Sequence, residues 1–176
     1  NGKLFWTCEG FNPDKRGNWV QVASSVLDGN MAIVPYGRGK HIAGIELSGD
    51  GNVTQSNRKW TLNGTGSFVP TPAIQDGKVY VLGDRGQVAC LDTKTGKKLW
   101  DGQFPKNRAS YYASPTVADS KIYAPREDGV IMVASISDGF QFLYENNMEE
   151  RIIATTVAVR DQLLIRGEKH LFCITK

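Results

Sequence analysis

Short apolar runs separated by turn residues succeed one another along the whole chain. "KVYVLG" (78–83), "QVACLD" (87–92), "KIYAP" (121–125), "VIMVAS" (130–135), "QLLIR" (162–166) and "HLFCIT" (170–175) each have about the length of one strand. Gly or Asp lies between nearly all of them, and no segment holds a helical period beyond two turns, so the pattern predicts an all-β chain. Asp76-Gly77 between two apolar runs marks a tight hairpin, because a type I′ turn needs positive φ at both central residues. Asp28-Gly29 repeats the signal, and Asp119-Ser120 and Arg160-Asp161 are weaker versions of it.

The pattern also recurs at long range. Four segments align, from Ala23, Thr71, Ser114 and Thr155, with starts 48, 43 and 41 residues apart. A period in the low forties with several short strands per unit is that of a four-stranded β-propeller blade. In the best copy strand A is 71–75, B is 78–83, C is 87–92 and D is near 97–101, with Thr95-Gly96 turning C into D. The chain, 1–176, is then a single propeller segment with blades at 20–62, 71–101 and 114–145 and three strands of a last blade at 155–176. Strand D ends in a large aromatic in each unit: Trp60, Trp100 and Tyr144. One docked Trp removes about 150–250 Å² from water, an upper bound of about 4–6 kcal/mol. "NGKLFW" at the start repeats "TGKKLW", so residues 1–6, with Trp6, read as the outer strand of a split blade whose other three strands come from elsewhere. The start at Asn1 rather than Met reads as truncation or processing.

"CLDTKTGKKLW" (90–100) resembles the tryptophan-docking motif, AxDxxTGxxxW, of the PQQ-type β-propeller repeat found in quinoprotein dehydrogenases and in outer-membrane-assembly lipoproteins of the BamB type; Cys90 replaces the usual small residue. The resemblance implies that Trp100 packs between blades and that Asp92 and Thr95, flanking the Gly96 turn, tie that turn to the adjoining blade. "GFNPDKRGNWVQVASS", "SGDGNVTQSNRKW" and "EKHLFCITK" are similar to PQQ-like repeat proteins of planctomycete type. In the third copy Ser135 stands at the Asp position and Tyr144 at the Trp position, which predicts weaker docking there. Propellers of this type are usually eight-bladed. The resemblance therefore implies half a ring here, completed by a missing N-terminal half or by a second copy whose "NGKLFW" closes this chain's last blade. It also favours an exported or periplasmic location. PQQ and Ca²⁺ enter only through the resemblance; no cofactor is predicted, because the dehydrogenases' ligand carboxylates and vicinal disulfide are not matched as a set.

Charge narrows the partner class: 21 Lys+Arg against 18 Asp+Glu, net +3, is too small an excess to argue for nucleic acid. No apolar run approaches the length of a membrane span. Cys8, Cys90 and Cys173 are odd in number and without CxxC spacing, so they read as small apolar core residues. Asp50-Gly51-Asn52 with Thr54 offers oxygens at loop spacing but lacks the downstream Glu of a strong Ca²⁺ loop, and reads as a solvated turn insertion. His41 and His170 lie near the start of strand C in different blades, with no obvious partner, and read as surface or edge residues, His41 on the candidate binding face described next.

The connections between strands B and C carry one arginine per unit: Arg38, Arg85, Arg126 and Arg166. Blade geometry puts them on the face of the long D-to-A loops, which add Arg108, Arg151, Trp19, Phe104, Tyr111 and Tyr112. A ring of arginines would grip carboxylates or an acidic partner; the neighbouring Asp84, Glu127, Asp128 and Glu168 offer local ion pairs instead. The favoured reading is a non-catalytic binding or scaffolding propeller with a protein or polymer on that face. An enzyme with its active site in a missing half, and a sensor or accessory domain of a larger exported protein, stay open.

Overall fold

The computed structural model describes residues 2–18 and 20–175; Asn1, Trp19 and Lys176 lie outside the described residues. Three complete four-stranded antiparallel blades follow one another. The first consists of Val26–Asp28, Met31–Tyr36, His41–Glu46 and Arg58–Asn63. The second is Ala73–Gln75, Lys78–Leu82, Gln87–Asp92 and Lys98–Gln103. The third is Thr116–Ala118, Lys121–Pro125, Val130–Ser135 and Gln141–Asn147. The fourth has three strands, Val157–Val159, Gln162–Arg166 and Leu171–Thr175. The fold is an all-β propeller array, with strands A to D of each complete blade paired in chain order.

The turn chemistry acts locally. Asp76 (φ 51°) and Gly77 (φ 70°) take the two positive φ angles that a type I′ turn needs. Asp119 (φ 50°) and Ser120 (φ 53°) do the same without a glycine, so the weaker sequence signal still marks a tight turn.

Register repeats as faithfully as the strands do. On one cross-blade ladder Val26, Ile33, Gly44 and Trp60 are paired in sequence. Ala73, Tyr80, Cys90 and Trp100 form the same ladder in the second blade, and Thr116, Tyr123, Val133 and Tyr144 in the third. In the fourth the ladder runs Val157, Leu164, Cys173 and stops. Each complete blade has an irregularity in strand D next to the aromatic, which aims that ring at the following blade.

Apolar side chains meet between blades. Ile33 and Ile42 of the first blade pack against Val79, Val81, Ala89 and Leu91 of the second. Tyr80, Val88 and Cys90 of the second pack against Ile122, Ala124 and Met132 of the third. Ile131 and Val133 of the third meet Ile165 of the fourth. A line of hydroxyls crosses from blade to blade two residues ahead of each A strand: the Ser24 amide donates to Thr71 Oγ1 (3.0 Å), the Thr71 amide to Ser114 Oγ (3.0 Å) and the Ser114 amide to Thr155 Oγ1 (3.1 Å).

The N-terminal segment is not an edge strand waiting apart from this chain. Trp6–Thr7 pairs in parallel with Gly51–Asn52, inside the insertion of the first blade. Val53 and Gly51 amides donate to the carbonyls of Thr7 and Phe5 (both 2.9 Å), and the Glu9 amide donates to Thr54 Oγ1 (2.8 Å). The insertion, read as a solvated turn, is therefore the seat of this strap, and it contains one helical turn, Thr54–Asn57.

Interblade docking and the candidate binding face

The docking aromatics grade from tight to loose along the array. Trp60 lies between two glycines: a Cβ on Gly44, its own cross-strand partner, would stand 2.2 Å from Trp60 Nε1, and one on Gly96 of the second blade 2.5 Å from Cδ2. Trp60 Nε1–H donates to the Thr93 carbonyl (3.0 Å). Trp100 packs among Tyr80 (5.9 Å between centroids) and Phe140 of the third blade (6.4 Å). Tyr144 is 47% exposed and borders a cavity of about 580 Å³ between the third and fourth blades, with Tyr123, Leu163 and Ile174. Trp6 covers the free face of the first blade, against Ala32, Tyr36, Ala43 and Ile45.

The structure corrects the roles expected of Asp92 and Thr95. Asp92 Oδ1 accepts hydrogen bonds from the Thr95 amide and hydroxyl (both 2.7 Å), so the pair closes its own turn rather than reaching the next blade. Those bonds hold the Asp92 carboxyl below its ordinary range. The bridging residue is Thr93, fully buried: its hydroxyl donates toward Asp28 of the first blade and lies 3.0 Å from the Gly77 carbonyl.

The four arginines do not form a ring, because they occupy different positions in their turns. Gly83 and Arg126 make equivalent turn bonds, accepting from Gly86 and Gly129 and donating to Gln87 and Val130. Arg126 therefore stands where the second blade has glycine, and its side chain is buried, with Nε–H donating to Asp128 Oδ1 (2.8 Å) and Nη1 beside Met132 Sδ (3.6 Å). Arg85 is the counterpart of Asp128; it is exposed and its Nη1 donates to the Arg108 carbonyl (2.6 Å). Arg38 is exposed, with its guanidinium carbon 4.7 Å from the centre of the Phe68 ring. Exposed Arg166 lines a separate 180 Å³ hollow with Arg151 and Glu168. Phe104 and Tyr111, expected on the loop face, are buried in the core between the second and third blades, while Tyr112 remains exposed. His41 Nδ1 lies 2.8 Å from Asn63 Oδ1 and stacks on Tyr36; His170 Nδ1 lies 3.4 Å from Glu150 Oε2.

One cavity on this face does join predicted residues. About 610 Å³ in volume, it lies between the first and second blades and is lined by Arg38, Gly64, Gly66, Phe68, Arg85 and Lys98, with Asp84 and Asp101. Asp84 is committed locally, its Oδ1 accepting from the Val69 amide (3.3 Å), and burial pushes its carboxyl up despite that bond and the two arginines. Lys98 and Asp101 stand 3.8 Å apart. The remaining cationic donors at the mouth, Arg38 and Arg85, make the cavity suited to a carboxylate.

The oxygens of the 50–54 segment are already in use. Asp50 Oδ1 accepts from Gly51, Asn52 Oδ1 from Thr54 and Thr54 Oγ1 from Glu9. Among the described residues, no cluster of three or more His, Cys, Asp or Glu is placed to hold a metal. The cysteines differ: Cys90 is buried, Cys8 half-buried and Cys173 exposed, against the expectation that all three are core residues.

A family model described as outer membrane protein assembly factor BamB matches residues 47–168, from the end of strand C of the first blade into the fourth. The chain belongs to the BamB family. A curated BamB of Marinobacter adhaerens is 26% identical over 94 residues, 53% of this chain and 23% of that protein. The crystal structure of BamB from Moraxella catarrhalis superposes with a TM-score of 0.67 at 18% identity, over 90% of this chain and 46% of that one. This BamB-family chain thus spans about a quarter of the curated relative and about half of the solved one. The computationally designed Ika4 protein matches it with a TM-score of 0.75 at 14% identity, over 99% of each chain. No helix of the described residues is long and apolar enough to cross a membrane.

Proposed function

We propose that the chain is a non-catalytic binding propeller that holds an acidic protein segment at the cleft between its first and second blades. The observation that carries this reading is the juxtaposition of Arg38 and Arg85 over one cavity, beside Gly64, around whose missing side chain nothing lies within 4 Å. The name carried by its relatives, an outer membrane protein assembly factor, supports a protein partner and an exported location. The test is fluorescence anisotropy of a labelled octaglutamate peptide, with octalysine as control. Binding should weaken at least about tenfold in R38E/R85E, as loss of two charge-assisted contacts implies. It should be unaffected by R160E, which lies on an A-to-B turn. Equal binding by the double variant, or equal binding of octalysine, overturns the proposal.

A further inference from the structure

The cleft between the first and second blades is open because the side chains that close the next interface are missing from it. Three amides make the same bond directly after strand D: Gly64 donates to the Lys40 carbonyl (2.8 Å), Phe104 to Gly86 (3.0 Å) and Met148 to Gly129 (2.9 Å). Gly64, Phe104 and Met148 therefore hold one position in their blades. Phe104 is fully buried between the second and third blades, and Met148 packs into the core between the third and fourth. Around an added Cβ at Gly64 nothing lies within 4 Å, and its φ of +76° is a left-handed backbone that disfavours any side chain.

Two further rings are absent from the same junction. Val69 and Ser110 correspond, because each donates its amide to a carboxylate in the B-to-C turn of the following blade, Asp84 (3.3 Å) and Glu127 (2.8 Å). Pro70 thus stands where Tyr111 does, and Tyr111 stacks on Phe104. Lys98, paired with Leu91, is the counterpart of Phe142, paired with Ala134, since Leu91 and Ala134 each follow the ladder residue of strand C. Phe142 meets Phe104 edge-on, 6.3 Å between centroids. Three rings that close the second interface are a glycine, a proline and a lysine at the first. The 610 Å³ cavity lies there, with Gly64 and Lys98 in its lining and Phe68, Val81 and Ala89 as its apolar walls.

We infer that the segment held in this cleft carries an aromatic residue among its carboxylates, with the ring entering the cavity over Gly64 and the flanking carboxylates at Arg38 and Arg85. The inference rests on the reading of the cleft as a site for an acidic segment, and it adds the side chain that such a segment inserts. The molecule itself fills the equivalent space with a large side chain at its next two interfaces, so the occupant that fits is a side chain and not backbone alone. A ring suits the walls better than an aliphatic chain does. Phe68 offers it an aromatic neighbour, and Lys98, standing where Phe142 meets Phe104, offers it a cation. The cavity volume falls within the range of about 300–1,000 Å³ common to ligand pockets.

Two labelled variants of octaglutamate separate this inference from the reading beneath it, one with phenylalanine at its fourth position and one with serine there. In fluorescence anisotropy the phenylalanine peptide should bind the chain at least about tenfold more tightly than the serine peptide, as burial of one ring implies. Both should weaken in R38E/R85E. A third peptide, with p-benzoylphenylalanine at the fourth position, should on irradiation give adducts that map to residues 64–68 or 98–103 by mass spectrometry of the digest. Equal affinity of the phenylalanine and serine peptides, or adducts outside those two stretches, overturns the inference, while charge-dependent binding of the serine peptide leaves the acidic reading standing. Binding by neither peptide overturns both.

Discussion

Replacing Gly96 by alanine isolates what docks the first blade on the second. Gly96 has φ +69°, and an added Cβ would lie 2.5 Å from Trp60 Cδ2, 2.6 Å from Cε3 and 2.8 Å from Cγ. Gly77 is its internal control: φ is +70°, and nothing lies within 4 Å of the added Cβ. The left-handed backbone costs an alanine about 1–2 kcal/mol at either site. At Gly96 the indole must also move, yet it is held by its bond to Thr93 and backed by Gly44. Forcing a methyl into such a contact costs about 1–3 kcal/mol more. Urea titrations should therefore place G77A about 1–2 kcal/mol below the parent and G96A about 2–5 kcal/mol below, with equal m-values. Gly44 has no positive φ, so G44A should show the steric part alone, about 1–3 kcal/mol. Introducing W60A first should reduce the cost of G96A to that of G77A, because only the backbone part survives. Equal destabilisation by G96A and G77A in the parent background, or additivity of W60A with G96A, would refute the assignment of Trp60 as the fastener.

Three further outcomes follow from burial and charge. Burial pushes the Cys90 thiol up to about 11, so at pH 8 iodoacetamide should label Cys90 only in denaturant; labelling of Cys90 in the folded protein would contradict its placement. Burial raises the Asp84 carboxyl, so the folded state binds its proton more tightly than the unfolded chain does. Stability from this group is then present at low pH and lost as pH rises from its unfolded to its folded pKa. D84N keeps the acceptor for Val69 and removes the charge, so its melting temperature should exceed the parent's at neutral pH and converge on it in acid; a lower value at neutral pH rejects the argument. Y144W should extend into the cavity between the third and fourth blades and stabilise by about 1 kcal/mol through added buried area, read as a higher urea midpoint; a lower midpoint would mean that the cavity does not admit the ring.

Strands, blade period and fold class were legible because their signals are local: alternation over five or six residues, and Asp-Gly where positive φ is required. The docking motif was legible for the same reason, since Asp92, Thr95 and Gly96 lie within one turn. Thr93 was not. Its partners Asp28, Gly77 and Trp60 stand 65, 16 and 33 residues away, and nothing in "DTKTG" distinguishes the inward threonine from the outward one. The arginines misled for a related reason. Arg85 and Arg126 look equivalent in "GDRG" and "REDG", but their turn bonds offset them by two positions, sending one to solvent and the other into the core. Phe104 and Tyr111 sit in loop sequence yet stack on each other inside the structure, 6.1 Å between centroids.

The grading of the three interfaces has one physical origin. Trp60 is tight because Gly44 and Gly96 flank it, which lets the indole lie against backbone and brings its N–H to a carbonyl. Where the third unit begins its turn with Ser-Ile-Ser-Asp instead of Asp-Thr-Lys-Thr, Phe140 enters the interface instead, over Gly102, where a Cβ would come within 2.2 Å of the Phe140 ring. Trp100 then packs against an aromatic side chain rather than on backbone. At the next interface Tyr144 reaches less far than Trp, and the 580 Å³ cavity remains beside it. In a repeat array stability is close to a sum over units and nearest-neighbour contacts, so the fourth blade, with a loose contact on one side and an uncovered apolar face on the other, is the unit that this chain stabilises least.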